Sequence, residues 1–284
     1  MFKIPRFISS KEDLPENSIV LAGIPYDCTS SFRSGSRFAS REIRNYSVEA
    51  IEEFSFYQKK SLDDVPFCDV GDLEIMVGDP AKMVETVIEA VKPYIEEGKR
   101  VIAIGGEHLV TYPLFLAHKE FYPEFTMIHF DAHADLRDGY AGDKLSHASV
   151  MKLCLDNGLD RLIQVGVRSG TKEEFELRHT DPRIIPADSV SEVAEAFEEG
   201  EIIYISIDLD YFDPSFVPGT GTPEAGGGSF DDFMKFIEII NAKKCRIIGA
   251  DVVELAPELD SSKISVAFVA KLLRELLIAT HRNS

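Results

Sequence analysis

The chain has 284 residues, 44% of them hydrophobic and 28% charged, a length that buries about three quarters of its unfolded surface in one or two domains. Asp and Glu number 49 against 30 Lys and Arg, a formal charge of −19, so the average surface repels phosphate and neither nucleic acid nor a membrane is an expected partner. Cys28, Cys68, Cys154 and Cys245 lack C-x-x-C spacing, and no stretch supplies a leader or the roughly 18 apolar residues of a membrane span, so a cytoplasmic chain with reduced thiols is expected.

In chain order, a short apolar run predicts a buried strand at 19–24, and a weaker one lies near Phe67. A helix follows over 80–97, with Asp79 as N-cap, Pro80 at its first position and Gly98 as its stop. Its apolar stripe is Val84, Val87, Ile88, Val91, Tyr94 and Ile95. Further strands are predicted at 101–105, 126–130, 162–167, weakly near Ile184, and at 202–207. The glycine-rich segment 218–228 is the longest irregular stretch. Ser229 and Asp232 then open a helix carrying Phe230, Phe233, Ile237 and Ile240 on one face, before a strand at 246–252 and an apolar helix over 263–280. Strand and helix alternate, which predicts an α/β fold with a mostly parallel sheet covered on both faces. A closed barrel and an open doubly wound sheet both fit this pattern. With no repeat or linker, residues 1–284 are expected to form a single domain.

Metal-type side chains follow four of these strands, at the sheet edge where α/β proteins place their sites. Glu107 and His108 follow 101–105, Asp131, His133 and Asp135 follow 126–130, Asp208 and Asp210 follow 202–207, and Asp251 and Glu254 follow 246–250. In extended backbone, positions i, i+2 and i+4 share a face, so Asp131, His133 and Asp135 project together, as do Asp208 and Asp210. Packed like charges need a cation. Four carboxylates and two imidazoles without a thiolate suit hard to borderline divalent metals, manganese first, and six ligands suit two ions sharing carboxylates. Four carboxylates cancel two such ions, and a hydroxide with Glu254 brings the cleft to about −2 by this count, which favours a cationic substrate. The D-x-D of DLDYFDP lacks the glycine and distal glutamate of a calcium loop, and no nucleotide-binding glycine pattern occurs. His129 lies inside a strand run and faces away from Phe130, so it is read as structural; His179 and His281 are read as surface or packing residues.

The segments IGGEH (104–108), FDAHAD (130–135), SIDLDYFDP (206–214) and VVELAPELD (252–260) closely resemble those of the ureohydrolases, the arginase and agmatinase superfamily. GIPYDCTSSFRSGSRFASREIR (23–44), GVRSG (166–170) and PGTGTPE (218–224) extend the resemblance, in order, over most of the chain. It implies a three-layer α/β/α domain with a roughly eight-stranded sheet, two Mn2+ ions per chain and a homo-oligomer, trimer or hexamer. Carried over residue by residue, it puts His108 and Asp135 on one metal and His133 and Asp210 on the other, with Asp131 and Asp208 bridging. His147 matches the active-site histidine and Glu254 the guanidinium-binding glutamate. Ser40 stands where the family usually has proline, a change expected to loosen a local turn.

The loop LRDGYAGDKLSHAS resembles the agmatinase branch, which implies hydrolysis of agmatine to putrescine and urea. Asp138 and Asp143 are candidates to hold the amine tail, while Arg137 is suited to a carboxylate. Aminopropylagmatine, arginine, guanidinobutyrate and formimidoylglutamate are the alternative substrates. In the expected chemistry Asp135 accepts a hydrogen bond from the attacking hydroxide, Glu254 orients the guanidinium and His147 protonates the departing amine. A zinc deacetylase of related architecture lacks the Gly-Gly-Glu-His ligand, and a non-catalytic metal-binding regulator would not need His147 and Glu254.

Overall fold

The computed structural model describes residues 5–15 and 17–282. Its elements run β1 (Ile19–Gly23), α1 (Ala39–Ala50), a small hairpin of β2 (Phe54–Ser55) and β3 (Lys60–Ser61), β4 (Phe67–Asp72), α2 (Pro80–Glu96), β5 (Arg100–Ile104) and α3 (Thr111–Phe121). There follow β6 (Thr126–Phe130), α4 (Val150–Asp156), β7 (Arg161–Val165), α5 (Lys172–Thr180), β8 (Ile184–Ala187), α6 (Val190–Ala196), β9 (Ile202–Asp208), α7 (Phe230–Ala242), β10 (Arg246–Val253) and α8 (Ile264–Arg282).

Local chemistry sets the helix ends where the sequence places them. The Asp79 carboxylate accepts the Lys82 amide at 2.9 Å, Pro80 needs no amide partner, and Gly98 takes φ 74° beyond the last turn of α2. Met83, Val87, Val91 and Ile95, four residues apart, are the side chains α2 buries. Ser229 and Asp232 form a reciprocal capping box at the start of α7. Ser40 sits buried in the first turn of α1, where proline is also accommodated, and α1 runs unbroken from Ala39, so the expected loosening is not seen.

Eight strands form one all-parallel sheet in the order β4-β1-β5-β10-β9-β6-β7-β8. The sheet is open, with β4 and β8 as its edges, and the barrel alternative falls. Period-two alternation divides each central strand between two cores. Ile102 and Ile104 of β5, Ile128 and Phe130 of β6, and Ile203, Ile205 and Ile207 of β9 pack with α1, α6, α7 and α8. Val101, Ala103, Met127 and Tyr204 point the other way, toward α2, α3 and α4. The result is three layers. β5 and β6, joined in sequence through α3, are separated in the sheet by β10 and β9. The carboxyl ends of β5, β10, β9 and β6 therefore stand side by side over one crevice.

Candidate metal centre

Beyond its last residue, β5 stays stitched to β10: the Gly105 amide donates to the Val252 carbonyl and the Glu254 amide to the Gly106 carbonyl, both at 2.8 Å. Gly106 passes so close to the backbone of Tyr26 that no Cβ fits there. This brings His108, at the start of a short 3-10 turn, to the centre of the crevice. Its Nδ1 lies 3.1 Å from one oxygen each of Asp131, Asp135 and Asp208. His133 Nδ1 lies 3.0 Å from Asp210 Oδ2 and 3.4 Å from Asp131 Oδ1. Asp131 thus offers one oxygen to each group. Asp208 directs Oδ2 toward His108 while its Oδ1 accepts the Asp210 amide at 2.9 Å.

All six residues named from the sequence converge, though not by strand alternation alone. β6 ends at Phe130, and Asp135 is swung into the cluster by a left-handed backbone, φ 52°. β9 ends at Asp208, and Asp210 is carried by the 3-10 turn that follows. Glu254 also adopts a left-handed backbone, φ 66°, a conformation that non-glycine residues keep only where the surroundings impose it.

His108 shows why this donor set fits a cation. Its Nε2 lies 3.0 Å from Ser206 Oγ, whose own proton goes to Asp251 Oδ1 at 2.8 Å. A neutral His108 then carries its proton on Nε2 and presents the Nδ1 lone pair to three carboxylate oxygens that are themselves acceptors; with no cation between them, burial resists but Asp131, Asp135 and Asp208 pull the imidazole pKa well up. Nδ1 is buried and makes no hydrogen bond. A cation between these atoms removes the conflict, and oxygen and imidazole donors suit a divalent one. The carboxylates carry the same signal. Burial and the Asp131 charge push Asp135 up to about 7, and burial with neighbouring carboxylates raises Asp208 and Asp210. Burial works on Asp131 too, but His129, His108 and His133 outweigh it and hold that carboxyl well below its usual range.

Three residues stand differently from their reading in the sequence. His129, taken as structural, donates from Nε2 to Asp131 Oδ2 at 2.8 Å, while its Nδ1 accepts from Gln164, whose amide orientation is fixed by the Ala134 carbonyl. It therefore orients Asp131 from behind. Asp251 lies behind His108, accepting from Tyr204, Ser206 and Thr111. Glu107 turns away from the cluster to Thr29 and Ser30.

The cluster floors a cavity of about 220 Å³ that His147, Glu254, Arg137, Tyr140, Glu174 and Thr222 also line. Glu254 Oε1 accepts the His108 amide at 2.8 Å, and burial pushes its carboxyl well up. Burial lowers the His147 imidazole to about 4, so it rests neutral. Asp138 and Asp143 do not line the cavity: Asp138 is exposed, and Asp143 accepts the Leu145 amide within a turn closed with Tyr140. Glu174, unnoticed in the sequence, does line it, and its Oε2 lies 3.3 Å from Arg137 Nε. Arg137 also covers the Tyr140 ring at 5.1 Å. The glycine-rich segment is clamped rather than loose, with Arg33 donating to the carbonyls of Thr220 and Gly221 and Arg168 to those of Glu224 and Ala225. The clamp sets Thr222 Oγ1 3.2 Å from Asp210 Oδ2.

The model of the arginase family matches residues 17–279. The agmatinase of Halalkalibacterium halodurans is 38% identical over 279 residues, 96% of this chain and 95% of that protein. The crystal structure of the agmatine ureohydrolase of Thermoplasma volcanium is similar with a TM-score of 0.86 at 28% identity, over 99% of this chain and 96% of that one. The proclavaminate amidino hydrolase of Streptomyces clavuligerus gives a TM-score of 0.89 at 25% identity, over 100% of this chain and 99% of that one.

Proposed function

The chain belongs to the arginase family, and from that premise we propose that it hydrolyses the guanidino group of agmatine to putrescine and urea at a centre for two manganese ions. The ligands we assign are His108, Asp131, His133, Asp135, Asp208 and Asp210, with His147, Glu254 and Asp135 acting on the substrate and its attacking water. The carrying observation is the cavity over the cluster, whose charged lining is carboxylate except for Arg137, and Arg137 is already engaged by Glu174 and Tyr140. Arg137 and Glu174 offset each other, which leaves the buried Glu254 as the carboxylate that a guanidinium meets beside the cluster.

A guanidinium is resonance-stabilised and stays protonated above pH 12, so its carbon resists neutral water. Two divalent ions, when bound, supply a water acidic enough to attack near neutral pH. Glu254 holds the guanidinium over the cluster, and the arriving cation draws its raised carboxyl back to the ionised form. Asp135 accepts the hydrogen bond of the attacking water. His147, neutral at rest, takes up a proton during the reaction and delivers it to the departing amine.

The whole chain, 1–284, serves as one catalytic domain in this reading: Ser31 lines the site from the N-terminal part and Glu254 from the C-terminal part. We place it in the cytoplasm on its four free thiols and as a homo-oligomer, trimer or hexamer, on its family alone; among the described residues no helix is long and apolar enough to cross a membrane. A product-release panel with added manganese tests the proposal, reading urea from agmatine, arginine, guanidinobutyrate and aminopropylagmatine and formamide from formimidoylglutamate. Agmatine is expected to be turned over best; absence of urea from agmatine overturns the proposal.

A further inference from the structure

We propose that Glu107 and Thr29 are positioning residues that set where His147 stands over the metal centre. The inference rests on the reading that His147 carries the proton. The His147 imidazole has little to hold it: Nε2 is buried without a hydrogen-bond partner among the described residues, and its ring neighbour Tyr140 lies 6.0 Å away. Its backbone must do that work. His147 opens a short 3-10 turn whose next amide, that of Ala148, is taken by Ser146 Oγ at 3.4 Å. The amide of His147 itself donates to Thr29 Oγ1 at 3.0 Å, across 118 residues of sequence.

A threonine hydroxyl has one proton and two lone pairs, so it serves as acceptor for His147 only if its proton is directed elsewhere. Glu107 directs it. Its carboxylate is wholly buried and accepts the Thr29 hydroxyl at 2.5 Å through Oε1, while Oε2 accepts the Thr29 amide at 2.7 Å and the Ser30 hydroxyl at 3.2 Å. The Glu107 amide donates to the Tyr26 carbonyl at 2.7 Å, which locks the 26–30 segment to the end of β5. Because His108 is the next residue, one rigid corner holds a proposed metal ligand through the backbone and His147 through Thr29. Neither Glu107 nor Thr29 lines the cavity.

The test is a double-mutant cycle on the manganese-loaded enzyme with saturating agmatine. Thr29→Val keeps the shape and removes the acceptor, and kcat is expected to fall at least tenfold with KM and bound manganese unchanged within about threefold. Thr29→Ser restores the hydroxyl and should return kcat to within about threefold of wild type. His147→Ala alone should lower kcat roughly 10²–10⁴-fold, the usual range for a lost proton-transfer group, and adding Thr29→Val to it should cost nothing more. If Thr29→Val costs as much beside His147→Ala as it does alone, its effect does not run through His147 and the inference is overturned while the function stands. If His147→Ala leaves kcat intact, the proton role of His147 fails and takes the inference with it. Should Thr29→Val lower Tm enough to unfold the protein, Glu107→Gln replaces it in the same cycle: with its oxygen on the Thr29 amide, its NH2 faces the Thr29 hydroxyl, which loses the acceptor for its proton.

Discussion

Under the proposed assignment, His108 Nδ1 facing three carboxylate oxygens at one distance makes loss of any of them a metal-binding defect before it is a catalytic one. Asp208→Ala is expected to bind fewer than two ions per chain after dialysis against limiting manganese, with wild type retaining two; atomic absorption checks both, and a variant that keeps two ions removes Asp208 from the ligand set. Specificity turns on Arg137. With Glu174 at 3.3 Å, its charge is already partnered, so agmatine should exceed arginine by at least tenfold in kcat/KM. That ratio needs only about 1.4 kcal/mol of differential binding, within reach of one desolvated carboxylate facing the wrong charge. Arg137→Ala should widen the preference in competition kinetics; equal turnover of arginine by wild type would sink the assignment. The convergence of the six proposed ligands was legible because each falls within a few positions of a buried strand's end. His129 was misjudged although the same period-two rule that groups Asp131 with His133 also groups His129 with Asp131. Glu174 left no local trace: it begins a helix as half of a capping box with Thr171 and reaches the cavity only through the fold.

Strands were legible at the level of elements because their apolar runs are short, β-branched and bounded by turn residues, and α2 and α7 because their caps are written in side chains. The sheet order was not, since nothing local to β5 or β6 says that β9 and β10 will be inserted between them. Nor did the sequence show that the 218–228 loop is pinned, because its clamps, Arg33 and Arg168, come from distant segments. The connection after β5 is where element packing and site meet. Gly106 touches the Tyr26 backbone on one side, and its carbonyl takes the Glu254 amide on the other. Gly106→Ala forces a methyl into main chain that cannot rotate away, an overpacking penalty of roughly 1–3 kcal/mol. Its signature should be double: a lower denaturation midpoint, and an agmatine KM raised more than tenfold as Glu254 loses its place. Unchanged urea denaturation curves would show that the corner yields more easily than its packing implies.

At the scale of the whole molecule, the core on the α3 side of the sheet buries a histidine among its apolar residues. His118 is fully buried against Tyr204 of β9, its ring centroid 5.0 Å from the tyrosine's, with Nδ1 donating to the Leu114 carbonyl at 2.7 Å. Burial lowers its pKa to about 4, only partly offset by the carbonyls of Leu114 and Ile248. The unfolded chain titrates this group near 6.5, so above that pH neither state is charged and its titration has no effect on stability. Below it the unfolded state takes up the proton first, and stability falls until the folded state follows near pH 4. By pH 4.5 the loss amounts to roughly 2–3 kcal/mol. Buried acids act in the opposite sense, since Glu107, raised by burial to about 7, binds its proton in the folded state first and gains stability as pH falls from 7 toward 4.5. The two contributions overlap in wild type, so the diagnostic quantity is a difference. His118→Gln keeps a donor for Leu114 but cannot charge, and it should be less stable than wild type by a margin that shrinks by about 2 kcal/mol or more between pH 7.5 and pH 4.5. Urea melts of both proteins at the two pH values, metal-free and then manganese-loaded, measure that margin. A margin independent of pH would mean that the α3 layer opens enough to hydrate the imidazole.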